Sequence, residues 1–204
     1  MDIERWKAAL AEREPTLMDA SGRYAVLVPL VEHEGKWNLL YEVRASSLKR
    51  QPGEVCFPGG RIEQGESPVD CALRETWEEL GIPKEEIEVL GSLDFIAHRA
   101  NFILYPILAK VSQRGFAQMR PSKTEVDTTF LVPLEYLQKT QPLEYEYQLI
   151  PHTDENFPYE LLRIPRDYQW QIGGENVAVY PWKDYAIWGL TGRITRHVVS
   201  RIPK

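Results

Sequence analysis

At 204 residues and 43% hydrophobic content, the chain can bury a substantial core, and one embellished domain is expected. Its formal charge of -6 argues against broad binding to nucleic acid or anionic membranes, while small polyanions remain compatible if cations neutralise them. Cys56 and Cys71 are too few for a disulfide framework and do not form a CxxC pair, so both are expected reduced. The N-terminal MDIERWKAALAERE lacks the apolar run of a signal peptide, no stretch is suited to spanning a membrane, and the final RIPK is not a peroxisomal address; the expectation is a cytoplasmic protein.

In chain order, residues 2–13 read as an amphipathic helix with Asp2 as cap and Ile3, Trp6 and Leu10 on one side. Packing against the domain is the favoured reading, and a partner or homodimer helix is the alternative. Tyr24 to Val31 is a buried strand by composition. A turn at Glu34-Gly35 leads to a second strand, Trp37 to Arg44, in which Trp37, Leu39, Tyr41 and Val43 alternate with Asn38, Leu40, Glu42 and Arg44. The segment from Arg44 to Gln51 is locally basic, an ordinary solvated loop on charge alone.

Next comes GEVCFPGGRIEQGESPVDCALRETWEELGI, from Gly53 to Ile82. Ser67-Pro68 predicts a helix start, and Gly81 followed by Pro83 predicts its end. Val69, Ala72, Leu73, Thr76, Trp77 and Leu80 recur at helical spacing as a mostly apolar face. At about 100° per residue, Glu75, Glu78 and Glu79 share a neighbouring arc, away from Trp77 and Leu80. Like charges at these spacings weaken an isolated helix by a few tenths of a kcal/mol per pair. A Glu-rich helix alone is ordinarily a solvated surface. Three oxygen donors on one rigid face also suit a hard cation such as Mg²⁺ or Mn²⁺.

Beyond the helix, Ile87 to Ile96 and Phe102 to Val111 read as strands joined by a turn around His98, Arg99 and Asn101. Ser112 to Thr124 reads as a polar loop, Glu125 to Pro133 as a strand, and Leu134 to Lys139 as a short helix. The aromatic-rich segment from Glu144 to Trp182 is expected to hold a hairpin in which Tyr145 to Ile150 pairs with Tyr159 to Ile164. Burial of these aromatics in the protein's own core is favoured over a substrate cover or dimer arm. Asp184 to Val199 reads as a helix with Ile187, Leu190, Ile194 and Val198 on one face.

Gly60, Glu66, Arg74, Glu75, Glu78, Glu79, Gly81 and Ile82 fit the spacing G-x5-E-x7-R-E-U-x-E-E-x-G-U, with U a bulky apolar residue and Thr76 the one departure. The chain thereby resembles the Nudix hydrolases. Leu40, Arg44, Ala45, Gly53, Phe57, Pro58, Gly59 and Gly60 further resemble L-L-T-x-R-[SA]-x3-R-x3-G-x3-F-P-G-G, found before the box in the coenzyme A pyrophosphatase subgroup. Tyr41, Glu42 and Lys49 stand there for Leu, Thr and Arg. The run IWGLTGRI resembles that subgroup's C-terminal helix, which extends the resemblance from about Arg23 to Ile202.

The resemblance implies an α/β/α sandwich with a mixed sheet, with a core at about 23–140, an N-terminal helix, and an extension over 141–204 holding a hairpin and a helix. It implies a metal-dependent pyrophosphohydrolase in which Glu75, Glu78 and Glu79 hold Mg²⁺ or Mn²⁺, Arg74 orients them and Glu66 supports the loop or a metal. Gly59 and Gly60 allow close backbone approach to metal and phosphate. Glu125 is a candidate extra metal ligand or base, or else an exposed strand-start glutamate. With coenzyme A or acyl-coenzyme A as substrate, Arg44, Lys49, Arg50 and Arg61 are candidates for the 3′-phosphate. ADP-ribose, NADH or diadenosine polyphosphates are alternative substrates. A non-enzymatic ligand sensor is the alternative of another class.

Overall fold

A computed structural model of the chain describes residues 2–12 and 16–202. The chain divides between Pro133 and Leu134 into two compact units. In the first, helix α1 (Ile3–Leu10) precedes strands β1 (Gly22–His33), β2 (Lys36–Arg44), β3 (Val55–Cys56) and β4 (Gly59–Arg61). Helix α2 (Pro68–Leu80) follows, then a 3₁₀ turn at Lys84–Glu86, β5 (Ile87–Ser92), β6 (Ile96–His98), β7 (Phe102–Val111), α3 (Gln113–Gln118) and β8 (Val126–Pro133). The second unit contains α4 (Leu134–Lys139), β9 (Leu143–Leu149), α5 (Tyr159–Leu162), β10 (Gly173–Trp182), β11 (Tyr185–Ile187) and α6 (Gly189–Arg201).

The first unit is built on a mixed sheet ordered β3-β2-β1-β7-β5, with β4 on β1, β6 on β7 and β8 on β2. β1 and β7 run parallel from Gly22 opposite Phe102 to Val31 opposite Val111. β1 shares its other edge: Tyr24 to Val26 pair with β4, and Leu30 to His33 pair with β2. This division brings the Gly59-Gly60 turn and β2 to one side of the same strand. Leu27 N–H donates to Pro58 O at 2.9 Å and closes the join.

Helix α2 forms where its local signals place it. Ser67 Oγ accepts the Asp70 N–H, Pro68 is the first helical residue, and Gly81 ends the helix at φ 68° with its N–H on Trp77 O. Cys71 and Ala72 pack on Ala25, Leu27, Ile107 and Ala109; Leu80 and Ile82 pack on Val31, Leu40, Val111 and Val126. Complete burial of Leu80 contributes roughly 1.5–3 kcal/mol. The helix is turned about its axis toward its carboxylate side relative to the apolar periodicity. Thr76 and Glu79 are buried, whereas Trp77, expected on the buried face, is 59% exposed. Thr76 satisfies its hydroxyl by donating to Ala72 O at 2.7 Å.

Several expectations are corrected. Helix α1 ends at Leu10, and the expected end at Arg13 lies outside the described residues. It has no buried residue, and Ile3, Trp6 and Leu10 are all more than half exposed, so its apolar face does not pack on the domain. β2 does not present one wet face: Asn38 to Val43 are all buried, with Leu40 packed on Leu80 of α2 on one face and Tyr41 stacked on Phe57 and Phe130 on the other. Ser112 caps α3 by accepting Gly115 N–H, where a loop is expected. The strand expected over Ile87 to Ile96 breaks after Ser92, and His98 belongs to β6.

In the second unit β9 pairs with β10, from Leu149 opposite Gly173 to Leu143 opposite Val179. The expected partner, Tyr159 to Ile164, instead contains the short helix α5, ended by Arg163 at φ 56°. Tyr145, Tyr168 and Trp170 are exposed while Tyr180 is buried, so burial of the aromatics holds for only part of the segment. The C-terminal helix begins at Gly189, not Asp184, since Tyr185 to Ile187 pair with β10. α6 packs on β10 with Gly192 against its backbone; a Cβ there would lie 2.4 Å from Ala178 O.

Candidate active site

Two of the glutamates of α2, Glu75 and Glu79, meet the Gly59-Gly60 start of β4. Glu79 is 3% exposed and its Oε2 accepts the Gly59 N–H at 2.8 Å. Gly59 has no room for a side chain, since a Cβ would sit 2.3 Å from Ala25 O. At Gly60 a Cβ would sit 2.2 Å from Glu75 Oε1, so the bare backbone of Gly60 forms the seat of the Glu75 carboxylate. Glu78, one turn from Glu75, is the most exposed of the three.

Arg74 gathers these acids. Its Nε and Nη2 donate to the two oxygens of Glu66 at 2.9 and 3.0 Å, a fork-to-fork pair. Its Nη1 donates to Glu75 at 2.8 Å and Glu78 at 3.2 Å, and Nη2 also reaches Arg61 O at 3.2 Å. Hydrogen bonds from Arg74 hold the Glu66 carboxyl down at about 2, and those to Glu66 raise the guanidinium's own pKa. Glu66 also accepts the Glu63 N–H at 3.0 Å, which tightens the loop before the helix.

The sheet supplies an acid that periodicity does not single out. Glu42, in the middle of β2, is 1% exposed. Its Oε1 accepts the Cys56 thiol at 3.3 Å, and its Oε2 has no partner. Burial raises the pKa of Glu42, Glu75 and Glu79, and each is raised further by neighbouring carboxylates. Burial also pushes the Cys56 thiol up, with Glu42 adding to the shift. The available signal was Glu42 itself, a charge inside an otherwise apolar strand.

Glu125 immediately precedes β8. Its backbone carbonyl accepts Ala45 N–H at 2.8 Å, and its charge acts on Glu42, Glu75 and Glu79. Arg44 follows a bulge in the β2–β8 pairing and is half-buried, with Nε unpartnered. Arg44 N–H bonds to Glu54 O and Gly53 N–H to Arg44 O, both at 3.0 Å, closing the loop that carries exposed Lys49 and Arg50. Arg61 is carried separately by β4, where Nη2 donates to Ser21 O at 3.3 Å. A cavity of about 430 Å³ beside Arg74 is lined by Glu66, Leu73, Trp77, Pro83 and Lys84 among others, and by none of Glu75, Glu78 and Glu79. It is not the carboxylate site.

The donor set fits a hard divalent cation. It is built of carboxylate oxygens, it carries an unpartnered buried oxygen on Glu42, and its net charge is negative around Arg44 and Arg74. Among the described residues no three acidic, His or Cys side chains already surround a common point. Glu75 accepts from Arg74 through Oε1 and Glu79 accepts from Gly59 through Oε2, so each carboxylate keeps its other oxygen for a cation.

A NUDIX domain profile matches residues 22–152. Nudix hydrolase 3 of Caenorhabditis elegans is 31% identical over 89% of this chain and 75% of its own length. The mitochondrial coenzyme A diphosphatase NUDT8 of Mus musculus is 37% identical over 72% of this chain and 70% of its own. An uncharacterized Nudix hydrolase NudL of Yersinia enterocolitica is 31% identical over 95% and 88%. With the profile spanning most of the chain, and with Arg74, Glu75, Glu78 and Glu79 in the signature's spacing on a capped helix, the chain belongs to the Nudix hydrolase family and is a pyrophosphohydrolase.

Proposed function

We propose that the enzyme hydrolyses coenzyme A or acyl-coenzyme A to 3′,5′-ADP and (acyl-)4′-phosphopantetheine, with Mg²⁺ or Mn²⁺ at Glu75, Glu78 and Glu79. The observation that carries the substrate is the 37% identity to a coenzyme A diphosphatase over 72% of this chain. The loop between Arg44 and Gly53 supports it. It leaves the strand that bears Glu42, returns beside it in β3, and carries Lys49 and Arg50. In solution these cations attract a phosphomonoester without requiring one fixed geometry.

When bound, a divalent cation polarises the pyrophosphate oxygens, neutralises charge developing in the transition state and lowers the pKa of a water. The chain's own residues prepare for this. Arg74 holds Glu75 and Glu78 while its fork on Glu66 fixes the guanidinium, and Gly59 N–H sets the Glu79 carboxylate. Glu125 is the candidate ligand or base from outside the helix. Arg44, Lys49, Arg50 and Arg61 are the candidates for the 3′-phosphate.

The test incubates purified protein and Mg²⁺ or Mn²⁺ with coenzyme A, acyl-coenzyme A, ADP-ribose, NADH and diadenosine polyphosphates, with products identified by mass spectrometry. Release of 3′,5′-ADP from the coenzyme A compounds is expected, with loss of turnover in Glu78→Gln and Glu79→Gln. Cleavage of another compound in their place would overturn the substrate, and full turnover in both variants would overturn the metal assignment.

A further inference from the structure

We propose that Glu42 is a further cation-ligating residue, which extends the site from α2 onto the central sheet. The inference rests on the reading of α2 as the cation face and adds to it a ligand from a different element. Glu42 lies between β3 and β8, opposite Cys56 on one edge and Thr129 on the other. It shares a strand face with Leu40, which packs on Leu80 of α2. The helix that carries Glu79 therefore packs on the strand face that carries Glu42. Glu79 precedes Leu80 on that helix, and both acids are buried, Glu42 at 1% and Glu79 at 3% exposure.

A structural role does not account for this arrangement. A thiol of raised pKa is a weak donor, and it serves only Oε1. Oε2 is buried with no partner, and a carboxylate left so costs far more than an apolar or hydroxyl residue would. Arg44 is the cation that acts on Glu42, but Oε2 and the Arg44 Nε are both left without a hydrogen-bond partner. A divalent cation, if held by Glu42 together with Glu79, would give Oε2 the partner it lacks. The subgroup pattern has Thr at this position, so the extra oxygen donor distinguishes this chain from that pattern.

The test uses full-length protein stripped with EDTA and titrated with MnCl₂ alone. Bound Mn²⁺ is counted by electron paramagnetic resonance, affinity is measured by calorimetry, and Tm is recorded with EDTA and with Mn²⁺. Wild type, Glu42→Gln, Glu42→Thr and Glu79→Gln are compared. The expected result is that both Glu42 variants bind Mn²⁺ roughly tenfold or more weakly, or lose an equivalent of it; even an outer partner's loss has an effect of that size. The Tm of Glu42→Thr in EDTA should rise, since a buried carboxyl with an unpartnered oxygen is gone, and the Mn²⁺-induced rise in Tm should shrink in both variants. If wild type binds Mn²⁺ and both Glu42 variants match it in affinity and stoichiometry, the Glu42 assignment is overturned and the α2 site stands. If wild type binds no Mn²⁺, both are overturned.

Discussion

Glu79 Oε2 accepts the backbone N–H of Gly59 at 2.8 Å, which ties the buried end of the Nudix helix to the first residue of β4. The adjacent glycine does something different. A Cβ at Gly59 meets backbone at Ala25 and Val26, while the three atoms nearest to one at Gly60 all belong to the Glu75 carboxylate. Gly59→Ala should therefore destabilise the fold by about 1–3 kcal/mol through overpacking against atoms that cannot yield. Gly60→Ala should cost less stability, because the Glu75 carboxylate can yield at the expense of its Arg74 hydrogen bond, yet weaken Mn²⁺ binding. Urea melts and Mn²⁺ titration on the two variants separate these effects; equal loss of stability in both would contradict the distinction.

Arg74 depends on its shape as well as its charge. Lysine keeps the charge but cannot bond both Glu66 oxygens while reaching Glu75 and Glu78. Arg74→Lys is expected to cost about 1–3 kcal/mol of stability, the range for hydrogen bonds to charged groups. Turnover should fall roughly 10–100-fold, as when a supporting partner of metal ligands is lost. Wild-type kcat in Arg74→Lys would show that the fork positions nothing that catalysis uses.

The Glu66 carboxyl is held at about 2 by Arg74, below its ordinary value of 4.5. A depressed acid contributes stability above its unfolded pKa and loses it as pH falls through its folded pKa. Wild type should therefore lose stability between pH 4.5 and 2 partly through this residue. In Glu66→Gln that part is already absent at neutral pH, so its denaturation midpoint should change less across the same interval. Parallel curves for the two proteins would remove Glu66 from the acid response.

Lys49 and Arg50 are exposed, so neutralising them should not disturb the fold. The double variant Lys49→Ala/Arg50→Ala should raise KM for coenzyme A more than for its analogue lacking the 3′-phosphate, with kcat nearly unchanged. The excess should shrink at high salt, because exposed charges are screened. An equal rise for both substrates would place the 3′-phosphate elsewhere, with Arg44 and Arg61 the next candidates.

Helix α2 was legible because its signals are local. Ser67, Pro68 and Gly81 act on backbone groups within one turn, and the spacing of Arg74, Glu75, Glu78 and Glu79 follows from helix geometry alone. The β1–β2 hairpin was legible for the same reason, since Glu34 and Gly35 form its turn between two alternating or apolar runs. Where partners lie far along the chain, local pattern was silent. β9 pairs with β10 across the segment that holds α5, and choosing that partner over Tyr159 to Ile164 depends on tertiary packing. The exposure of Trp77 and burial of Glu79 were decided by the sheet, which takes a different stripe of α2 from the one hydrophobicity favours. Glu42 shows the limit most clearly. The sequence by itself determined that an acid sits in an apolar strand, but β3 and β8 on its edges and the packing of Leu40 on Leu80 of α2 enclose it, because burial is set by everything that packs around a residue and not by its neighbours in sequence.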